Sequence, residues 1–309
     1  MSPRDAIDLT PATLRGIPLP EPDESGSKEE RGRILIVGGE RENPGAMLLS
    51  GTAALRAGAG KLRLATVRSI AVALGIAIPE ARVFGLDETE HGAIDPAAAD
   101  ELLRVAGGVD ALVLGPGMID EASASKLTGA VLARVDGPAV ALDAGAFPYL
   151  AANPDALLRL DGRAVITPHA GEMAKILGVE KAEVERDPLA TARRAAEELG
   201  AVVALKGPDT FIAAPDGQAY RYANGGVGLA TSGSGDVLAG IVGGLLARGA
   251  DPLRAAAWAV YLHGEAGNAL AAASGGIGYL ARELPAEIPP LMDRLGGERR
   301  SVGFTADSA

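Results

Sequence analysis

Short apolar runs alternate with alanine-rich, helix-like stretches along most of this chain. Parallel strands covered by helices on both faces produce this alternation, because each strand is buried on both sides and a helix connects it to the next strand. The sequence therefore predicts an α/β fold with a mainly parallel central sheet flanked by helices on both faces. The predicted strands are 33–37, 61–67, 111–114, 139–142, 164–166 and 201–205, with a hairpin at 211–214 and 218–222. The predicted helices include 46–57, 188–199, 252–272 and 284–295.

The domain organisation follows from length and from one change of composition. A chain of 309 residues suits one large domain, and no repeat or second domain is recognisable. Residues 1–31 are proline-rich and then charged, without periodicity, which predicts an extension that lies on the surface or across a partner subunit. Residues 32–309 are predicted to form a single domain.

Composition restricts the partners of such a domain. A formal net charge of −11 argues against a nucleic-acid partner, because phosphate contacts need basic side chains. An aromatic content of 3% also argues against one, because base stacking needs aromatic side chains. The chain has no cysteine and only three scattered histidines, so neither a thiolate nucleophile nor a zinc cluster is expected. No apolar run approaches the ~18 residues of a membrane span and the first residues lack an apolar signal core, so we expect a cytoplasmic protein without a membrane partner.

The most distinctive stretch runs from Gly228 to Gly244 and reads G-L-A-T-S-G-S-G-D-V-L-A-G-I-V-G-G. Its first half consists of glycine and small hydroxyl residues, and its second half has the small apolar residues of a buried helix. A glycine-rich turn that enters a helix is an anion site, because free amides and the helix dipole point at the same place. Asp236 stands at this junction, where a carboxylate either caps the helix or serves as a base beside a phosphate.

Unusual residues also follow the ends of predicted strands, where open α/β sheets bind their ligands. Those residues are Asn43-Pro44-Gly45, Gly117, Asp143, His169 and Lys206. Each has an ordinary structural alternative. Asp143 could satisfy a turn, His169 could cap the helix that follows it, and Lys206 could be a surface lysine in a turn.

Three other features are interpreted as structural. The G-A-G-K-L segment at Gly58 to Leu62 lacks both the first glycine and the Ser or Thr of a P-loop. Gly38-Gly39 does not continue as G-x-G-x-x-G, the dinucleotide fingerprint. His263 and Trp258 lie within an apolar helix and are interpreted as residues of the core or its rim.

Taken together, the segments resemble one family. They are I-V-G-G-x-x-x-x-P-G-A, A-A-L-R-A-G-A-G, L-G-P-G, L-D-A, T-P-H-x-G-E-M, L-K-G-x-x-T and G-L-A-T-x-G-S-G-D-V-L-A-G. In this order they are similar to the bacterial ADP-dependent NAD(P)H-hydrate dehydratases, which have a ribokinase-like fold. The resemblance extends from Gly32 to about Ala272. G-S-G-D alone is typical of the wider group of ribokinase-like kinases.

The resemblance implies a reaction. Members of this family phosphorylate the hydroxyl of NAD(P)H hydrate from ADP, and phosphate then departs to restore the dihydronicotinamide and leave AMP. Asp236 would be the base that takes the hydroxyl proton, with the amides of Gly233, Ser234 and Gly235 stabilising charge on the transferring phosphoryl group. The adenine-nucleotide contacts would be Lys206, Gly207, Pro208, Asp209, Thr210 and Gly235. The contacts to the hydrated nicotinamide nucleotide would be Ala46, Gly117, His169 and Asp236.

The same resemblance implies Mg²⁺ as an aid to the nucleotide, with no protein metal ligand assigned. It also implies a homo-oligomer, specifically a homotetramer. Some members carry an N-terminal epimerase domain, for which this chain has no room, so we expect a separate NAD(P)H-hydrate epimerase as the functional partner.

The chain departs from the family pattern at three positions. Ala170 stands where proline is common, which predicts a looser turn around His169. Gly145 replaces the usual second aspartate after L-D-A, which argues against a role for that loop in metal or hydroxyl binding. Ser234 replaces the commoner threonine, a mild change.

Two other functions fit the same residues. A ribokinase-type kinase acting on a small alcohol, such as a vitamin precursor, would release a stable phosphorylated product. A non-catalytic nucleotide-binding regulator would bind ADP without turnover, and the intact G-S-G-D motif argues against it.

Overall fold

The structure, a computed structural model, describes residues 5–21 and 31–296, and a ten-stranded sheet forms its centre. The strands are β1 (Ile7–Asp8), β2 (Arg33–Val37), β3 (Lys61–Val67), β4 (Ala81–Leu86), β5 (Ala111–Leu114), β6 (Ala139–Leu142), β7 (Ala164–Ile166), β8 (Val202–Leu205), β9 (Thr210–Ala213) and β10 (Ala219–Tyr222). Their spatial order is β1-β10-β9-β8-β7-β6-β5-β2-β3-β4. The strands from β8 to β4 in this order all run parallel, whereas β9 is antiparallel to both of its neighbours.

Helices cover both faces of this sheet. Every residue of β5, β7 and β8 is buried, although successive side chains of a strand point to opposite faces. Burial on both faces explains why these strands read as continuous apolar runs rather than as alternating ones. The predicted α/β class, with its mainly parallel sheet, is therefore confirmed.

The helices connect the strands and have sequence-encoded ends. They are α1 (Pro11–Gly16), α2 (Gly45–Arg56), α3 (Arg68–Ala77), α4 (Ala99–Ala106), α5 (Glu121–Leu132), α6 (Phe147–Ala152), α7 (Ala170–Leu177), α8 (Lys181–Arg186), α9 (Pro188–Leu199), α10 (Ser234–Ala247), α11 (Pro252–Ser274) and α12 (Leu284–Leu295). Helix α9 begins with the Asp187 carboxylate accepting from the Ala190 amide and ends at Gly200 in the left-handed conformation. Helix α11 begins in the same way at Asp251. Across the described ranges, no helix combines the length and apolar character needed to cross a membrane.

Helices α2 and α10 pack with their backbones almost in contact. A Cβ atom at Gly240 would overlap the carbonyl oxygen of Ser50, and one at Gly244 would lie 2.6 Å from that of Ala54. Glycine is therefore required at both positions of α10, because any side chain would push the helices apart. This packing fixes the N-terminal end of α10 above the carboxyl ends of β6 and β8.

Residues 5–21, part of the predicted N-terminal extension, pack against the rest of the domain. Strand β1 pairs with β10 at the edge of the sheet, and Leu14 of α1 has no exposed surface. The indole N–H of Trp258 donates to the carbonyl oxygen of Ile17 at 2.8 Å. The remaining residues of the extension that fall in 1–4 and 22–30 lie outside the described residues, and the boundary at residue 32 stays a prediction.

The far edge of the sheet was not predicted. Helix α3 and strand β4 follow β3 along the chain, and β4 pairs with β3 in parallel through a register that places Leu62 opposite Ala81. The segment from Arg68 to Leu86 is apolar throughout most of its length, so neither helical nor strand periodicity distinguishes its two elements.

Candidate active site

Loops from several parallel strands meet at the carboxyl edge of the sheet. The Gly39 amide donates to the carbonyl oxygen of Pro116 at 2.8 Å, joining the loops after β2 and β5. The Lys206 amide donates to the carbonyl oxygen of Pro168 at 2.8 Å, joining the loops after β7 and β8. The predicted site residues that follow strands are therefore brought to one edge, as parallel topology requires.

The N-terminus of α10 faces this edge and lacks a side-chain cap. Its N-cap residue is Gly233, which has a φ of +87° and packs against Leu49 of α2, so a side chain there would be both strained and obstructed. Within the described residues, the amides of Gly235 and Asp236 have no hydrogen-bond acceptor. Two free N–H groups at a helix N-terminus form an anion-binding position.

Asp236 belongs to the first turn of α10 but does not cap the helix. Burial is the main cause that raises the pKa of its carboxyl to about 7, the charge of Asp143 raises it further, and Lys206 lowers it. A carboxylate that titrates near neutral pH is matched to accepting a proton from a hydroxyl. The geometry therefore favours the second of the two interpretations of Asp236, as a base.

Asp236, Asp143 and Lys206 form a charged cluster, in which Asp143, at the end of β6, is buried. Its Oδ1 atom accepts from the Thr167 hydroxyl at 2.7 Å and from Lys206 Nζ at 3.4 Å. The Asp143 side chain is only 4% exposed, so its charge acts at short range with little screening by solvent. A Cβ atom at Gly235 would lie 3.6 Å from Lys206 Nζ and 4.0 Å from Asp143 Oδ2, which places both charged groups beside the start of α10.

A cavity of about 710 Å³ opens beside Lys206 and α10. Its lining includes seven predicted residues, namely His169, Lys206, Gly207, Pro208, Thr210, Ser234 and Gly235. Asp209 is not among the lining residues. Its carboxylate instead pairs with Arg221 of β10, accepting from Nη2 at 2.6 Å and from Nε at 2.9 Å.

Two further predicted residues meet at the start of α2, outside the lining of this cavity. Gly117 has a φ of +69°, and a Cβ atom there would lie 2.7 Å from the Cβ atom of Ala46. One turn further along α2, Leu49 contacts Gly233. The loop that carries Gly117 and the loop that precedes Asp236 thus lie against the first two turns of the same helix.

His169 serves as a cap and also reaches the cavity. Its Nδ1 atom accepts from the amides of Gly171 and Glu172 at 3.0 and 3.2 Å, and the Glu172 carboxylate accepts from the His169 amide at 2.8 Å. This capping box holds the turn without the proline that Ala170 replaces. The His169 side chain nevertheless remains 59% exposed and lines the cavity.

Comparison with known proteins identifies the group to which this site belongs. The family model described as NAD(P)H-hydrate dehydratase matches residues 34–290. The chain belongs to the NAD(P)H-hydrate dehydratase family. The resemblance seen in the motifs is thereby confirmed.

Relatives and solved structures of this family match nearly the whole chain. The chain is 47% identical over 292 residues to the ADP-dependent (S)-NAD(P)H-hydrate dehydratase of Xanthomonas campestris pv. campestris, covering 93% of this chain and 96% of the relative. It superposes on the ADP/ATP-dependent NAD(P)H-hydrate dehydratase of Bacillus subtilis, co-crystallised with ATP/Mg²⁺, with a TM-score of 0.79 and 30% identity, covering 94% and 99% of the two chains.

The fold comparison agrees with the expected architecture. A ribokinase-like superfamily protein of Enterococcus faecalis superposes with a TM-score of 0.81 at 26% identity, covering 96% of this chain and 97% of that one. The chain spans about half the length of the bifunctional NAD(P)H-hydrate repair enzymes that it also matches.

Sequence reasoning about the family site underrated Asp143 and His263. The departure at Gly145 argued against a role for the loop after β6, and the structure shows that a Cβ atom at Gly145 would overlap Met118. No side chain fits at Gly145, yet Asp143 two residues earlier points into the charged cluster. His263, interpreted as a core or rim residue, lines the cavity and lies 2.9 Å from the Ser234 hydroxyl. The strand-end position of Asp143 was the available signal, whereas nothing local distinguished His263.

Proposed function

We propose that this chain catalyses the ADP-dependent dehydration of the S form of NAD(P)H hydrate to NAD(P)H, releasing AMP and phosphate. One observation carries the proposal. An uncapped helix N-terminus with two free amides adjoins a carboxylate whose pKa is raised to about 7. A site that transfers a phosphoryl group to a hydroxyl needs both parts. Family membership supplies the identity of the hydroxyl.

In the first step Asp236 takes the proton of the substrate hydroxyl, and the oxygen attacks the β-phosphorus of ADP. The bond between that phosphorus and the bridging oxygen breaks, and AMP leaves. Of the amides predicted to face the charge on the transferring group, that of Ser234 already donates to the carbonyl oxygen of Thr231. The amides of Gly233, Gly235 and Asp236 are therefore proposed for this role, where preorganised donors lower the barrier without reorganising. In the second step the C–O bond of the phosphorylated hydrate breaks and phosphate leaves with its electrons, while the neighbouring carbon gives a proton to solvent and the C–H electrons form the ring double bond.

The nucleotide is proposed to occupy the cavity beside Lys206. Lysine contacts phosphate as a point charge, and the Nζ atom of Lys206 is held beside Gly235 by Asp143. Gly207, Pro208 and Thr210 line the same cavity and continue the nucleotide site. For Asp209 we propose that the contact is indirect, since its ion pair with Arg221 fixes the turn that follows Lys206.

The hydrated nicotinamide nucleotide is proposed to bind along Ala46, Gly117 and His169, with its hydroxyl at Asp236. The loops of Gly117 and Gly233 both contact the start of α2, which supports a substrate position between them. His169, exposed and already fixed by its capping box, is oriented to contact a ligand without losing side-chain freedom on binding.

The chain's donor set fits Mg²⁺ carried by the nucleotide. Within the described residues, no three side chains of His, Asp or Glu come together, so a metal here would take most of its ligands from phosphates and water. This is the usual coordination of Mg²⁺ at nucleotide sites, and Asp143 is the carboxylate that would complete it, which leaves Asp236 free to act as the base. When bound, Mg²⁺ would neutralise charge on the phosphates. Cytoplasmic location, homotetrameric assembly and a separate epimerase partner stay predictions from the sequence.

The test is an absorbance assay at the reduced-nicotinamide band, with purified protein, NADH hydrate and Mg²⁺, and with ADP and ATP supplied in turn. We expect absorbance to rise as AMP and phosphate are released with ADP. The isosteric Asp236→Asn variant should lose at least ~10²-fold in rate while ADP binding persists, because only the base is removed.

Two outcomes would contradict the proposal. Near-normal turnover by Asp236→Asn would remove Asp236 from the role of base. No absorbance change with either nucleotide, together with a stable phosphorylated product from a small alcohol, would indicate the kinase.

A further inference from the structure

The first residue of α10 is tied to a neighbouring helix. Ser234 is buried, and its Oγ atom lies 2.9 Å from Nε2 of His263 in α11. This side-chain hydrogen bond links α10 to α11. It joins the turn that begins α10 to the wall of the nucleotide cavity, which His263 lines.

Packing on α2 holds the axis of α10, and within the first turn the Val237 amide donates to the carbonyl oxygen of Gly233 at 3.1 Å. Gly233 supplies no capping side chain, and the Ser234 amide makes only a long hydrogen bond of 3.2 Å, to the carbonyl oxygen of Thr231. The direction of the free amides of Gly235 and Asp236 therefore depends on how firmly Ser234 is held. Helix ends that lack caps fray, so a side-chain tether at this residue has a direct effect on those amides.

The imidazole of His263 contributes through its hydrogen bond rather than through charge. Burial is the main cause that lowers the pKa of His263 to about 4; a backbone hydrogen bond with Ser234 opposes it, and the charge of Lys206 acts in the same direction as burial. The ring is therefore neutral at physiological pH. A neutral imidazole offers one donor and one acceptor, either of which can pair with a serine hydroxyl.

We propose that His263 is a positioning residue, whose hydrogen bond to Ser234 aims the amides of Gly235 and Asp236 at the phosphoryl group in transfer. The inference rests on the proposed function, because it names a further residue of the same site. His263 touches no reacting atom in this scheme and acts through Ser234.

A double-mutant cycle of His263→Leu, Ser234→Ala and the combined variant tests this assignment. Misaimed amides lose interactions that are strongest in the transition state, so each single variant should lower kcat between about 10- and 100-fold, with the KM for NADH hydrate unchanged. The combined variant should be no slower than the worse single variant, because both changes break one hydrogen bond.

A conservative variant separates positioning from packing. The side-chain amide of His263→Gln reaches about as far as Nε2 and can pair with the Ser234 hydroxyl, so it should restore most of the kcat lost in His263→Leu. Additive losses in the cycle, or no rescue by glutamine when His263→Leu and His263→Gln melt at the same temperature, would overturn the inference.

Nucleotide affinity provides a readout that needs no turnover. The wild-type protein should bind ADP more tightly than AMP because the β-phosphate meets the free amides. His263→Leu should weaken the affinity for ADP by about 10-fold and change the affinity for AMP by less than about 2-fold. Equal losses for ADP and AMP would overturn the inference in favour of direct contact with the nucleoside. If wild-type protein fails to dehydrate NADH hydrate but its preference for ADP still falls in the variant, the proposed function is wrong and the positioning role stands.

Discussion

At the scale of single residues, the chemistry of this site depends on two opposing charges around Asp236. Burial and the Asp143 carboxylate raise the pKa of Asp236 to about 7, while Lys206 lowers it. A base must be deprotonated to act, so the raised pKa leaves Asp236 competent only at neutral pH and above. The same raised pKa makes the carboxylate a stronger proton acceptor than an ordinary aspartate.

The pH dependence of kcat/KM should reveal this balance. We expect kcat/KM for NADH hydrate to rise with pH through about 7 and then to level off, as Asp236 loses its proton in the free enzyme. Asp143→Asn removes a negative neighbour and should shift the midpoint to lower pH. Lys206→Met removes a positive neighbour and should shift it to higher pH. Identical midpoints in all three proteins would show that another group controls the profile.

At the scale of elements, the pair α2 and α10 determines where the amides and the base lie. Gly240 and Gly244 allow α10 to approach α2 until backbone meets backbone. Close packing of this kind prevents α10 from shifting along its axis, so the position of its N-terminus relative to the sheet is fixed.

A glycine comparison tests the importance of that contact. Gly240→Ala should lower the free energy of unfolding by about 1–3 kcal/mol, because its Cβ atom would overlap the Ser50 carbonyl oxygen. Gly75→Ala in α3 is the matched control. A Cβ atom there meets its nearest neighbour at 3.7 Å, so alanine should raise the stability by about 0.5–1 kcal/mol through helix propensity. Urea denaturation measures both, and equal effects at the two sites would contradict the packing argument.

At the scale of the whole molecule, residues 5–21 lie far from the active site in sequence and add an edge to the sheet. Arg221 links this edge to the site, since its guanidinium pairs with Asp209 and also lies 3.8 Å from Asp8 of β1. The described part of the N-terminal segment thus helps to hold the hairpin that follows Lys206.

Removal of one buried side chain measures how far this segment belongs to the fold. Leu14 has no exposed surface, so Leu14→Ala should lower the free energy of unfolding by about 2–5 kcal/mol. Ile76→Ala removes a side chain that is 78% exposed and should change it by no more than about 0.5 kcal/mol. A Leu14→Ala protein as stable as wild type in thermal unfolding would mean that α1 packs only loosely on the domain.

The sequence by itself determined the class of fold and the end of the sheet where the ligands would lie. Short apolar runs such as 34–37, which are rich in β-branched residues, favour strands buried on both faces. Helix signals such as Asp187-Pro188 and Gly200 are local in origin. Parallel strands place their carboxyl ends at one edge whatever the rest of the chain does. Lys206 was predicted from its position after a strand, and Asp236 from the glycine-rich turn that enters α10; both roles stay predictions.

Only the tertiary structure decided the roles that depend on neighbours distant in sequence. Asp143 is placed in the site by its hydrogen bonds with Thr167 and Lys206. His263 is placed there by its hydrogen bond with Ser234, which lies 29 residues before it in the chain. Asp209 was assigned to the nucleotide by its position in the motif, but the structure pairs it with Arg221. Burial and the sum of nearby charges set a pKa, and close approach of backbones sets where a glycine is needed. Both are properties of packing, which local sequence does not specify.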